Sequence, residues 1–281
     1  MGNGAKRIPV GLGFALALAF LHDNASANEV LLGTANNFAV LAGSAITSTG
    51  TTVINGGNVG ESPGSTIPSG FPPATITPPF TTELGNAIAL QAQNDLTTAY
   101  NTAAHLPVTT TLTGTDLGGL TLTPGVYFFA SSAQLTGQLT LNDQGNPDAV
   151  FVFRIGSTLT TASDSSVVTI NDPVTPGISV FWQIGSSATL GTGTDFEGNI
   201  LAHTSITADS GASVEGRLLA ENGAVTLDDN AITVPPAEVP PGGGGGGDVP
   251  DSGNTLLLLG SALAGVFAFG RRLSLLLGKP E

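Results

Sequence analysis

From Leu117 to Val234 short runs of β-branched, aromatic and aliphatic residues alternate with Gly, Asn and Asp, with a break every 8–12 residues. Val126-Tyr-Phe-Phe129, Ala149-Val-Phe-Val-Phe153, Ser179-Val-Phe-Trp182 and Gly198-Asn-Ile-Leu-Ala202 have the length and composition of strands. Such spacing suits a sandwich, a barrel or a solenoid, and an internal repeat decides among them. Phe196-Glu-Gly-Asn-Ile-Leu-Ala202 returns 18 residues later as Val214-Glu-Gly-Arg-Leu-Leu-Ala220. Ser205-Ile-Thr207 returns as Ala224-Val-Thr226, and Ile155-Gly-Ser157 as Ile184-Gly-Ser186. A period near 18 fits one turn of a three-sided coil, with Gly and Asn at corners because they tolerate positive φ. Phe151, Phe153, Phe181, Ile200 and Leu218 are the expected interior stack.

One segment has a different period. Leu84, Ala87, Ile88, Ala92, Leu96, Ala99, Tyr100 and Ala103 recur at three- and four-residue steps, predicting a helix over about 81–105. Pro78-Pro79 precedes it and Pro107 stops it. Half of its apolar stripe is alanine, so it is expected to lie close against a flat surface along one side of the coils.

The two ends read as addresses. Residues 1–27 have a basic start at Lys6-Arg7, an apolar run from Ile8 to Leu21 and Ala25-Ser26-Ala27 as a small-x-small cleavage pattern, together a signal peptide. Residues 235–248 are a Pro/Gly linker containing six consecutive glycines, Gly242 to Gly247. Residues 249–281 begin with Val249-Pro250-Asp251-Ser252-Gly253, continue through an apolar stretch from Thr255 to Gly270 and reach Arg271-Arg272. Apolar helix followed by a basic pair is a stop-transfer arrangement. Motif, short transmembrane helix and arginine pair, in this order, resemble the VPDSG subclass of sorting signals read by exosortase-type enzymes. The resemblance implies a Gram-negative bacterium, transient inner-membrane anchoring, processing by signal peptidase and an exosortase-type enzyme, and delivery to the cell surface or extracellular matrix. The membrane is touched through that helix alone, before processing.

Composition narrows the function. Five of the seven basic residues lie in these two ends, and Arg154 and Arg217 alone face seventeen acids between Asn28 and Pro240. A nucleic-acid binder needs cations to neutralise phosphates, so that class is excluded. The chain has no Cys, which removes thiolate chemistry. Asp228-Asp229 and Asp195 near Glu197 are possible acid–base pairs, but acids at turns commonly serve structure, and an enzyme is not expected. Gly60-Glu-Ser-Pro-Gly64 has the G-x-S-x-G pattern, yet Pro63 and Pro68 deny it the helix a nucleophile elbow requires. No cofactor fingerprint occurs, and His105 and His203 do not suggest a metal site.

Several runs carry a family resemblance. They are Leu32-Gly-Thr-Ala-Asn-Asn-Phe-Ala-Val-Leu-Ala-Gly-Ser44, Gly60-Glu-Ser-Pro-Gly64, Leu122-Thr-Pro-Gly-Val-Tyr127, Phe181-Trp-Gln-Ile-Gly-Ser-Ser-Ala-Thr-Leu-Gly191 and Gly223-Ala-Val-Thr-Leu227. Together they resemble the microbial ice-binding-protein family over residues 28–234. The resemblance implies a mainly β chain, a right-handed discontinuous three-sided β-solenoid with one long α-helix packed along it. It also implies that the Leu31–Asn55 stretch joins the solenoid and that one β-face binds an ice crystal surface.

Threonine suits such a face: the methyl disfavours disordered water, the hydroxyl hydrogen-bonds, and β-branching fixes χ1. Thr161-Ala-Ser163-Asp recurs 31 residues later as Thr192-Gly-Thr194-Asp, followed by Thr207-Ala-Asp209-Ser and Thr226-Leu-Asp-Asp. The first three resemble the family's T-[A/G]-x-[T/N] ice-site motif, with Asp or Ser at the fourth position. Thr47-Ser-Thr49 extends the candidate row. The expected function is a secreted, non-catalytic protein that adsorbs to ice and slows its growth or recrystallisation. The alternative is a surface adhesin or matrix solenoid without ice activity, since threonine favours strands in any case.

Overall fold

Among the described residues every strand pair is parallel, so coils and not hairpins organise the chain. The computed structural model describes residues 30–65, 68–171 and 179–235. Each full coil contributes one strand to each of three faces, here A, B and C, giving a three-sided β-solenoid. Face A includes Gly125–Phe129, Phe151–Ile155, Val180–Ile184 and Phe38–Ala42. Face B is the six strands Ala133–Leu135, Leu159–Thr161, Ala188–Leu190, Ile206–Ala208, Val225–Asp228 and Ile46–Thr49. Face C includes Gln138–Asn142, Ser166–Ile170, Ala231–Thr233 and Val53–Asn55.

The 18-residue repeat is one coil. Asp195–Ala202 and Ser213–Ala220 pair residue for residue over all eight positions, and each runs from face C around a corner onto face A. Gly198 and Gly216 make that corner at φ 117° and 144°. A Cβ on Gly198 would stand 2.7 Å from the Trp182 indole nitrogen, so the corner requires glycine for space as well as for φ.

Spatial order departs from chain order. Phe38–Ala42 lies between Ser213–Ala220 and Asn58–Glu61, so the coils built first in sequence stack on those built last. The chain proceeds outward to Thr82–Leu84, then returns through a helix, α1 (Ala87–His105). It resumes coiling with Thr110–Thr111 beside Gly125–Phe129 at the far end. Nineteen helical residues span ~28 Å, the distance of about six coil spacings. The helix starts later than its periodicity predicts, because Thr82–Leu84 pairs as a strand with Asn58–Glu61. Asn86 then caps it, its side-chain oxygen accepting from the Ala89 amide at 2.9 Å.

Two apolar layers result. Inside the tube Tyr127, Phe153 and Trp182 stack in register, with Phe153 and Trp182 ring centroids 3.9 Å apart and nearly parallel. Outside face A, Val126, Val152, Phe181, Leu201 and Leu219 pack against Ala92, Leu96, Ala99 and Ala103 of α1. Both sides of Val180–Ile184 are therefore buried, which explains its unbroken apolar run. Phe181, expected inside the tube, belongs to the outer layer, because Trp182 takes the inward position. The alanine stripe of the helix is what permits this close approach.

Both cations of the solenoid finish helices. Arg154 Nη1 donates at 2.5 Å to the carbonyl of Leu106, just past α1. Arg217 donates from Nε and Nη2, each at 3.1 Å, to the carbonyl of Asn36 in the 3-10 segment Gly33–Asn37, and from Nη1 to Asn199 at 2.9 Å. Burial pushes Arg217 down to about 10, so it stays charged at neutral pH and meets the negative end of the short helix.

Candidate functional site

Among the described residues no helix packs on the outer surface of face B, whereas α1 covers face A, and alternation sends every second residue outward. The ladder fixes the register: Gln134 beside Thr160, Thr160 beside Thr189, Thr189 beside Thr207, Thr207 beside Thr226, and Thr226 beside Thr47. Five adjacent coils thus present threonine at the same outward position. All five side chains belong to exposed or partly exposed residues. Neighbouring strands repeat every ~4.8 Å. Thr47 and Thr226 are close enough for their hydroxyls to lie 3.4 Å apart.

A second outward row stands two residues before the first: Ser132, Thr158, Ser187, Ser205, Ala224 and Ala45. Its register follows from the amide-to-carbonyl bonds that link Ala133 to Thr158, Leu159 to Ser187, Ala188 to Ser205, Ile206 to Ala224 and Val225 to Ala45. Within these six strands neither row holds a charge; at the end of the first row the exposed Asp116 bridges to Gln134. A third row, two residues after the threonines, is Thr136, Ala162, Gly191, Asp209, Asp228 and Thr49. Here Asp228 Oδ1 accepts from the Thr49 hydroxyl at 2.6 Å.

The sequence candidates divide between these positions. Thr47, Thr207 and Thr226 stand in the threonine row, and Thr49 and Asp209 in the third row. Thr161 does not face out: it pairs into the inner side of its strand and is 3% exposed. Its Oγ1 accepts from the Gly191 amide at 2.9 Å and meets Thr194 Oγ1 at 2.7 Å. Thr194 is fully buried in the B–C corner, and its hydroxyl also reaches the Ala162 carbonyl at 3.3 Å. Ser163 and Thr192 are exposed on corner turns beyond the strands. Thr160 and Thr189 fill the two row positions that the sequence motif passed over.

The reason is an offset of two residues. Matching Thr161-x-x-Asp164 with Thr192-x-x-Asp195 sets the coils 31 residues apart, whereas Thr160 pairs with Thr189, 29 apart. Asp164 and Gly193 are both left-handed corner residues, at φ 56° and 67°. Aligning the corners on backbone conformation, instead of on aspartate, would have given the observed register.

The other faces offer less. Face A lies under α1. Face C presents Asp195, Glu197 and Glu215 outward, each charged group bringing its own hydration shell. Ser213 donates to Asp195 and Thr169 to Glu197, both at 2.6 Å. Burial holds the Glu215 carboxyl above its ordinary value. Asp229 accepts from the Thr51 amide at 2.6 Å, and His203 Nδ1 stands 3.0 Å from Glu221. Gly60-Glu-Ser-Pro-Gly64 runs from the strand Asn58–Glu61 into a loop, and the Ser62 amide donates to the Ala42 carbonyl at 3.1 Å. Among the described residues no helix is long and apolar enough to cross a membrane. The signal peptide, the linker, the Thr255–Gly270 stretch and the sorting motif lie outside the described residues, apart from Pro235.

The sequence model of the ice-binding-like family matches residues 40–233, and that of the VPDSG-CTERM motif matches residues 248–273. The chain is 52% identical over 256 residues to an ice-binding protein of Nostoc sp. (strain HG1), covering 90% of this chain and 91% of that one. It is 36% identical over 225 residues to an ice-binding protein of Colwellia sp, covering 73% and 84%. The crystal structure of an ice-binding protein from the Antarctic ascomycete Antarctomyces psychrotrophicus is similar with a TM-score of 0.70 at 39% identity, covering 74% of this chain and 99% of that one.

Proposed function

This chain belongs to the ice-binding-like family, and we propose that it adsorbs to ice through face B, slowing growth or recrystallisation of ice outside the cell. The observation that carries this reading is the unbroken outward row Thr160, Thr189, Thr207, Thr226 and Thr47.

Ice offers no charge and no pocket. A binder needs a flat, rigid array that holds water in an ice-like arrangement. Parallel coils give repeats of ~4.8 Å across the strands and about 6.6 Å between i and i+2 along them, both near oxygen spacings in ice. The tube behind face B is filled by Leu135, Leu159, Leu190, Ile206, Val225, Leu227 and Ile46, all essentially inaccessible to water. That packing holds the threonine backbone in place before ice arrives, so little ordering cost remains at adsorption. The nearly uncharged first two rows avoid competing hydration shells.

Export belongs to the same reading. The sorting motif at 248–273 supports delivery to the cell surface or beyond it. Residues 1–27 act as the signal peptide, and residues 255–270 hold the precursor in the inner membrane of a Gram-negative cell until an exosortase-type enzyme cuts near Val249–Gly253. Mass spectrometry of the mature protein, expected to begin at Asn28 and to lack the segment after the motif, tests that order.

The test of the ice surface is thermal hysteresis and recrystallisation inhibition by the mature protein and by Thr160→Tyr, Thr189→Tyr and Thr207→Tyr. A face C variant, Thr140→Tyr, is the control. Activity should fall in the three face B variants, with fold kept by circular dichroism, and persist in the control. Undiminished activity in all three would remove face B as the surface. A folded wild type without activity would remove ice as the ligand.

A further inference from the structure

The third outward row of face B is uneven. In three successive coils it holds Thr136, Ala162 and Gly191, the last buried against the Thr161 and Ala162 backbone, and in the next two it holds the partly exposed Asp209 and Asp228. These carboxylates are not in corners remote from the threonines. Asp209 follows Thr207 and Asp228 follows Thr226 by two residues on the same outward side, so each stands about 6.6 Å from a row threonine. Their main chains are fixed. The Asp209 amide donates to the Leu190 carbonyl at 2.9 Å, and the Asp228 amide to Asn230 Oδ1 at 2.6 Å. The Asp209 carbonyl accepts from Asn230 Nδ2 at 2.9 Å. Asn230 itself is 2% exposed, so the two carboxylates cannot withdraw by a backbone shift.

Resting on the ice-adsorption reading, we infer that Asp209 and Asp228 determine the strength and the width of the ice contact: they end it along one border of face B and hold adsorption below what the threonine row would otherwise give. A carboxylate organises several water donors around itself in a geometry unlike ice. A flat crystal reaching the Thr207–Thr226 part of the row must strip or distort that shell, and removing water from an ion without a compensating partner is costly. Thr49 compensates one oxygen of Asp228. The crystal therefore contacts three rows at the coils of Gln134 and Thr160, and two rows at the coils of Thr189, Thr207 and Thr226.

The experiment compares the mature protein with Asp209→Asn/Asp228→Asn, which keeps shape and an acceptor for Thr49 while removing charge, and with Asp209→Thr/Asp228→Thr. Asp195→Asn on face C removes a charge away from the row, and Thr189→Tyr in the wild-type background reports whether face B binds at all. Folding is followed by circular dichroism and Tm. At equal molar concentration the double variants should show thermal hysteresis raised about twofold or more, because an ionic desolvation cost is removed, with Asp195→Asn unchanged. Unchanged hysteresis in both double variants, with Thr189→Tyr still abolishing it, would overturn this inference and leave face B as the ice surface. Reduced hysteresis in the asparagine variant would overturn it by making the carboxylates part of the contact. An inactive wild type would overturn both readings together.

Discussion

The hydroxyls of Thr161 and Thr194 meet 2.7 Å apart inside the corner between faces B and C, although both residues lie in sequence contexts that read as surface threonine. Thr160, one position earlier, is exposed. A strand separates the two roles by a single residue: one threonine faces water, and the next closes a corner.

That corner bond predicts a dissociation of stability from function. Thr161→Val removes the acceptor for the Gly191 amide, and Thr194→Val removes a donor to the Ala162 carbonyl. Each is expected to cost about 1–3 kcal/mol by leaving a buried polar group without its partner. Chemical denaturation should show the loss, while hysteresis near 0 °C, where both variants remain folded, stays at the wild-type level.

The register predicts a sharper contrast between two threonines three residues apart. Thr189→Tyr puts a ring in the middle of the row, flanked by Thr160 and Thr207. Thr192→Tyr puts the same ring on a corner turn. Recrystallisation inhibition should collapse in the first and persist in the second. Equal loss in both would mean that the contact extends around the corner.

Arg217 is expected to matter for stability alone. Replacing it by Met removes its bonds to the Asn36 carbonyl and to Asn199. The Gly33–Asn37 segment then loses its terminal partner on face A. A cost of about 2–3 kcal/mol follows from unpaired buried acceptors, which lowers Tm by roughly 5–10 °C for a domain of this size. Calorimetry measures it, and ice activity of the folded fraction should be unchanged, because Arg217 is on face A.

Glu215 supplies a pH test with a definite sign. Burial raises its carboxyl above the ordinary value, so the folded state prefers the protonated form. The ionised form therefore costs stability above the folded pKa, and the cost disappears as pH falls below the unfolded value. Glu215→Gln should raise Tm at pH 7 by about a degree or two, given solvent screening at a partly exposed site, and the difference from wild type should vanish near pH 4. A difference that grows on acidification would contradict the assignment.

Much of the solenoid was legible because a coil is a local object. The repeats that begin at Phe196 and Val214, at Ser205 and Ala224, and at Ile155 and Ile184 all pair in the structure as they align in sequence. The helix was legible from its alanine period, but its first turn was not, since Thr82–Leu84 has a strand partner in Asn58–Glu61 that lies more than twenty residues upstream. Phe181 and Trp182 look alike as core residues, and both are buried. Which of them enters the tube depends on α1 lying across the outside of face A, a contact between segments some eighty residues apart.

By itself, then, the sequence determined the coil, the helix, the acidic and nearly cation-free surface, and the presence of threonine at strand positions, because each is written in local period and composition. The tertiary structure alone decided which threonines form the row. A shift of one residue in pairing exchanges the inner and outer sides of a strand, and the segments between coils vary in length, from 26 residues between Gln134 and Thr160 to 29 between Thr160 and Thr189 and 18 between Thr189 and Thr207. The row is then completed by Thr47, which reaches Thr226 from the other end of the domain sequence. Parity within each strand and adjacency between distant coils are set by packing around the shared core, and no local pattern carries them.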